Sequence, residues 1–413
     1  MKKFAETAMV MSGRVIAVAG GAVTSIVTAR YLAPSGRGQY FLAVTAAQLL
    51  AQFANLGLPS ANTYFVARDR GWAPALLANS VWIACVAVPL VTALVLVTPL
   101  ATVLGAATPA ARLFAVVFAS VLVFTLFGNA LLVGLGEVKT FGFVQALMSV
   151  SVVPFMGLAI WLQAGVRGFL AATLAGSMTT AAVIWNRVRR NARGPVGFRP
   201  DAFAATFRYS TKAYIVTLAG FLVLRLNVFL LQAVAGPAQV GYYAVASQVA
   251  DTLVLLPQSV AIVLFPLLSA RAEGRLRTMI SHAIGTAAVL AVMCAAVWVA
   301  AAPGIRFAFG ARFQPAVVVL HALLPGVFLV GVLGVVSQYL AAAGFPSVVV
   351  VSWLVALAGN AVLGRGLVMR YGAVGAGLSL SVTYGALLLM FIAVVWRVER
   401  RGAAALVSRL RAA

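Results

Sequence analysis

The chain has 413 residues, 63% hydrophobic and 9% charged, with 30 Lys and Arg against 7 Asp and Glu and a formal net charge of +23. Soluble domains carry about 25% charged residues, so the composition excludes a water-soluble globule, in line with a mean hydropathy of +1.06. The cations sit in short connectors between apolar runs, which places them at a membrane surface and argues against a nucleic-acid partner.

A membrane-spanning helix needs roughly 20 predominantly apolar residues. In chain order, such runs are predicted near 8–31, 39–66, 75–100, 112–135, 140–163 and 168–186, and then near 209–235, 240–269, 280–302, 315–342, 347–369 and 374–396. Met1-Lys2-Lys3 and the apolar run after it resemble a secretory leader, but Arg14 interrupts that run, so an uncleaved first helix is expected. These runs are too long, and too uniform in polarity, for barrel strands. The fold class is therefore all-α: a polytopic membrane protein of about 12 transmembrane helices in two parallel six-helix bundles around a central cavity. The expected domains are a bundle at 1–186, a basic linker at 187–208, a second bundle at 209–396 and a basic tail at 397–413.

Orientation follows from the Lys/Arg bias of short loops. With both termini cytoplasmic, 19 cations fall inside, among them Lys2, Lys3, Arg68, Arg70, Lys139, the linker arginines and the tail. Seven fall outside (Arg30, Arg37, Arg112, Arg167, Arg306, Arg312 and Arg370), and Arg14, Lys212, Arg225 and Arg365 lie within or near span boundaries. The Arg30–Tyr40 connector, A-R-Y-L-A-P-S-G-R-G-Q-Y from residue 29, is read as a turn whose Arg30 and Arg37 meet water or headgroups.

Repeats are visible at a near-constant offset. P-S-G-R-G-Q-Y-F-L-A at 34–43 aligns with P-A-Q-V-G-Y-Y-A-V-A at 237–246, L-L-V-G-L-G at 131–136 with Y-L-A-A-A-G at 339–344, and G-V-R-G at 165–168 with G-A-V-G at 372–375. An even number of spans per half makes these parallel repeats, related by an axis along the membrane normal. Two such bundles suit a transporter that rocks between inward-open and outward-open states.

Polar residues inside the spans supply the candidate site. Gln48, Gln52, Asn55 and Asn62 share one face of the second span, and Gln248, Asp251 and Gln258 form a similar stripe on the eighth. Such amides glue helices together or line a path. Ionisable groups within the bilayer are costly and are functional candidates by default. Arg14 and Lys212 are candidates within reach of the cytoplasmic surface. Arg225 lies about 16 residues, or roughly 24 Å of rise, into its helix, and the cavity is favoured for it. Cations outnumber acids among these candidates, so an anionic substrate fits, and arginine pairs well with phosphate. The sequence offers no phosphate-binding Gly-Lys-Ser/Thr loop and no nucleophile–base set. Cys85, Cys294, His282 and His321 have no metal-site or disulfide spacing. No enzyme, cofactor or metal is expected.

The 29–40 stretch, together with G-L-P-S-A-N-T-Y-F-V-A-R at 57–68, residues 225–246 and residues 360–377, resembles bacterial polysaccharide flippases of the MATE-like multidrug/oligosaccharidyl-lipid/polysaccharide superfamily. The resemblance implies a bacterial inner-membrane protein. It would move an undecaprenyl-pyrophosphate-linked oligosaccharide to the periplasmic leaflet for O-antigen, capsule or exopolysaccharide assembly. It also implies alternating access through a cationic cavity, with membrane lipids, a polysaccharide polymerase and glycosyltransferases as partners. Arg14, Arg225 and Lys212 are the positional carry-overs. Relatives often have Asp two residues after the seventh-helix arginine, where this chain has Asn227, which puts ion coupling through that site in doubt. Three rivals remain open: a lipid II flippase, which usually has two further helices; a cation-coupled MATE-type antiporter, which would need more membrane acids than Asp251; and a non-transporting scaffold.

Overall fold

The computed structural model describes residues 2–98, 108–192, 197–270, 274–344 and 346–412. Among them there is no strand. The α-helices in chain order are α1 Lys2–Ala54, α2 Leu58–Arg68, α3 Ala73–Trp82, α4 Val88–Leu96, α5 Pro109–Gly134, α6 Val138–Val150, α7 Val152–Trp161, α8 Gly165–Asn191, α9 Pro200–Ala235, α10 Pro237–Ala270, α11 Arg275–Phe309, α12 Ala316–Ala342 and α13 Ser347–Ala412. A single π turn, Ile83–Ala87, joins α3 to α4 inside one span.

Among the described residues, ten helical runs are long and apolar enough to cross a membrane. Two of them are divided once, Val15–Ala54 at Ala33 (φ 55°, ψ 178°) and Ser347–Arg400 at Gly372 (φ 56°, ψ −131°), so the twelve expected segments are present. The chain is a multi-pass membrane protein. Large apolar side chains such as Leu94, Val299, Phe307, Val362 and Leu389 face outward, as lipid in place of water allows.

The backbone carries the duplication more sharply than the residues do. Ala33 and Gly236, 203 positions apart, share one non-helical conformation (φ 55°, ψ 178° and φ 79°, ψ 179°), each just before a proline that opens a new helix. Gly136 and Gly344 (φ 76° and 94°) and Gly165 and Gly372 (both φ 56°) repeat the match at the other two aligned stretches. In each pair the left-handed residue ends one helix and aims the next.

The predicted second span, 39–66, is not one helix. α1 ends at Ala54, Leu56 (φ 50°) and Gly57 (φ 72°) turn the chain, and α2 restarts with Pro59 in its first turn. Pro59 has no N–H, and the Asn55 carboxamide oxygen accepts the Gly57 N–H at 2.8 Å, which holds the turn.

The chain forms two compact units, Met1–Ala244 and Val245–Ala413. In the first, Val66, Leu76, Leu131, Leu132, Val144, Ile184 and Val188 bring α2, α3, α5, α6 and α8 into one apolar cluster, while Tyr40, Val152, Met156 and Phe169 build a second. The basic linker is tied to this unit. The Asn79 carboxamide pairs with the Arg199 backbone through two hydrogen bonds of 3.0 and 3.1 Å, and the exposed Arg199 guanidinium holds the Asp201 carboxyl below its ordinary range.

In the second unit, α12 and α13 interlock at a proline. Pro325 breaks the ladder of α12, and the Ser381 hydroxyl from α13 enters the gap. It accepts the Gly326 N–H at 2.8 Å and donates to the Ala322 carbonyl at 2.8 Å. Further along, the Tyr339 hydroxyl donates to Glu399.

Candidate substrate-binding region

Arg37 does not lie in a headgroup-exposed turn, as its Gly/Pro-rich surroundings suggested. Pro34 occupies the first turn of the helix that restarts after Ala33, so residues 34–40 are helical and Arg37 is turned inward, 3% exposed. Its guanidinium donates to Thr28 Oγ1 at 2.8 Å and to Ser25 Oγ at 3.0 Å, and lies 5.5 Å from the Tyr40 ring centroid. Its guanidinium thus sits among hydroxyls and aromatic rings.

The Phe41 ring takes two cations, with the guanidiniums of Arg37 and Arg225 each 5.9 Å from its centroid. Arg225 comes from α9, which runs antiparallel to this part of α1. Toward the other end of the pair, the Tyr214 hydroxyl donates to the Phe53 carbonyl at 2.8 Å, and the Ser210 hydroxyl donates to the Leu56 carbonyl at 3.1 Å. These two hydroxyls satisfy carbonyls freed where α1 breaks, the condition for an irregular backbone at membrane depth. Discontinuous helices of this kind border substrate sites in transporters. A Cβ on Gly57 would lie 2.8 Å from Tyr214 Cβ, so the break is fitted to α9.

The two aligned glycines pack reciprocally within the first unit. A Cβ on Gly38 would lie 1.8 Å from the Pro237 carbonyl oxygen, and one on Gly241 would lie 2.0 Å from that of Pro34. Only glycine permits these backbones to approach so closely.

Of the residues singled out from the sequence, Gln48, Gln52, Asn55, Asn62, Arg225 and Asn227 lie in the first unit. Gln52 and Asn55 are bonded to each other, Asn55 Nδ2 donating to Gln52 Oε1 at 3.0 Å, and Gln52 Nε2 is buried. Asn62 lies beyond the break on α2, so the single helical stripe stops at Asn55; Asn62 is itself buried. Asn227 is fully buried, and Arg225 and Gln48 are half-buried. In the second unit Gln248 and Asp251 are half-buried and Gln258 is exposed. The side chains of Arg14 and Lys212 lie outside the described residues.

The sequence reading missed Arg37, Phe41, Ser25, Thr28, Tyr214 and Ser210. Ser25 and Thr28 stand three apart on one helix face, and Arg37 precedes Tyr40-Phe41 by a helical turn. That pattern was legible once Pro34 is taken as a helix start rather than a turn.

Apolar spans with a broken helix and a buried guanidinium are a transporter-like arrangement. The family model described as polysaccharide biosynthesis protein matches residues 5–272. The chain belongs to this family. No curated protein gives a significant match. Among solved structures, the lipid II flippase MurJ in an inward closed conformation is similar, with a TM-score of 0.76 and 14% identity over 95% of this chain and 87% of that one. An inward-facing multidrug resistance transporter of the MATE family and MOP superfamily gives a TM-score of 0.74 and 16% identity over 94% and 95%. A MOP superfamily transporter from Pyrococcus furiosus gives 0.65 and 14% over 95% of each. At these identities the likeness establishes the fold, which this family member shares with membrane transporters.

Proposed function

We propose that this protein flips a polyprenyl-pyrophosphate-linked oligosaccharide from the cytoplasmic to the periplasmic leaflet of a bacterial inner membrane, for O-antigen, capsule or exopolysaccharide assembly. The reading assigns both termini to the cytoplasm and alternating access to the two repeats. Family membership supports the substrate class. The approach of both Arg37 and Arg225 to the Phe41 ring, two cations near one aromatic, supports a path for an anion. A pyrophosphate approaching this pair gains Coulomb energy in a medium of low dielectric constant, where charges act more strongly than in water.

The decisive experiment is deletion of the gene, followed by extraction of lipid-linked oligosaccharide. The expected result is accumulation on the cytoplasmic side, loss of surface polysaccharide and survival of the cell. Lysis and death would instead identify lipid II as cargo, the reading favoured by the likeness to MurJ. A change in drug sensitivity alone would identify an antiporter, the reading favoured by the MATE transporter.

A further inference from the structure

A polar cavity lies in the first unit, away from the Arg37–Arg225 pair. It has a volume of about 440 Å³ and is walled by Arg70, Leu135, Gly136, Glu137, Arg190 and Asn191. The walls come from four spans at one level: the starts of Arg70–Val95 and Val138–Trp161, and the ends of Pro109–Gly134 and Gly165–Asn191. Consecutive crossings put these ends on one side of the membrane, the side on which Arg68, Lys139, Arg187 and Arg189 also lie.

The cavity wall carries two arginines against one carboxylate, Glu137, and neutral donors hold that carboxylate in place. Glu137 Oε2 accepts from Thr140 Oγ1 at 2.8 Å, and Glu137 Oε1 accepts from Asn191 Nδ2 at 3.2 Å. Arg70 donates to the Leu135 carbonyl at 3.2 Å, which fixes its guanidinium against the wall, and Gly136 (φ 76°) places backbone where a Cβ would lie 4.0 Å from it. Among the described residues neither Arg70 nor Arg190 forms an ion pair. The cavity also lies at the ends of four spans, the level at which a membrane interface is expected. Trp72 stacks on Phe65 with centroids 4.7 Å apart, and Trp185 carries the Arg189 guanidinium at 5.6 Å. Tryptophans are enriched at that level, which agrees with this placement.

We propose that this cavity binds the phosphate of an anionic phospholipid headgroup, with Arg70 and Arg190 as its ligands. Basic pockets between transmembrane helices suit such headgroups. The site is independent of the cargo assigned above. It holds a resident lipid whatever the protein transports.

The test is native mass spectrometry of purified, delipidated full-length protein titrated with phosphatidylglycerol, phosphatidylethanolamine or inorganic pyrophosphate. Phosphatidylglycerol should be retained preferentially, and Arg70→Gln/Arg190→Gln should weaken its binding by about thirtyfold, from the attraction usual for two cations near a surface. Arg190→Gln alone, at an exposed position, should give about a fivefold loss and guards against misfolding of the double variant. Arg306→Gln/Arg312→Gln, with the same charge change in the other unit, should leave retention unchanged. Equal retention of phosphatidylethanolamine, equal weakening in the control pair, or preference for pyrophosphate over phosphatidylglycerol would each overturn the proposal.

Discussion

Arg37 and Arg225 present one problem in two settings, a guanidinium held at membrane depth beside an aromatic ring. An ionisable group within a membrane span is costly to keep there and is a candidate for function. Arg37→Met loses two hydrogen bonds and should cost about 1–3 kcal/mol of stability, while lipid-linked oligosaccharide transport falls by more than the loss of folded protein explains. Thermal unfolding in detergent and a flipping assay on the same preparation would check both halves. Unchanged transport would make Arg37 a structural residue. Arg225→Glu reverses the charge at Phe41 and should abolish flipping, with the variant still eluting as a folded monodisperse species. Full activity would remove Arg225 from the path.

At the scale of elements, glycine and hydroxyl side chains decide how helices meet. The reciprocal approach of Gly38 to Pro237 and of Gly241 to Pro34 leaves no room for a side chain. Gly38→Val and Gly241→Val should each reduce the yield of folded protein by a similar amount, as read by size-exclusion chromatography, because they intrude on equivalent contacts. In the second unit, Ser381 bridges the gap that Pro325 opens in α12. Ser381→Ala should cost about 1 kcal/mol, the usual worth of such a bond within a membrane protein. Gly326→Ala should cost more, since its Cβ would lie 2.8 Å from Ser381 Oγ. The polar stripe of the second span belongs at this scale as well. Its periodicity was correct through Asn55, but the helix breaks there, and Asn55 serves the break by accepting the Gly57 N–H.

For the whole molecule, the net charge of +23 and scarcity of acids bear on energetics. An anion leaving a negatively charged interior gains about 2.3 kcal/mol per charge for each 100 mV. Flipping of a pyrophosphate-linked substrate in proteoliposomes should accelerate when an inside-negative potential is imposed with valinomycin and a potassium gradient. A rate that ignores both the potential and ion gradients would rule out this energy source.

Composition and hydrophobic run length determined by themselves that this chain is a helical, multi-pass membrane protein. The requirement that every backbone group in lipid be satisfied internally leaves few architectures for such a sequence. The aligned stretches at 34–43 and 237–246 likewise announced a duplication that the matched conformations of Ala33 and Gly236 carry. What only the tertiary structure decided is where the charges point. Arg37 reads as a loop residue because Pro, Ser and Gly surround it, yet Pro34 starts a helix and rotates Arg37 onto Ser25 and Thr28. That Arg37 and Arg225 both approach the Phe41 ring joins residues far apart in the chain. Local sequence sets which helices form and where they kink, whereas the rotation of one helix against another depends on close contacts that no run of hydropathy encodes.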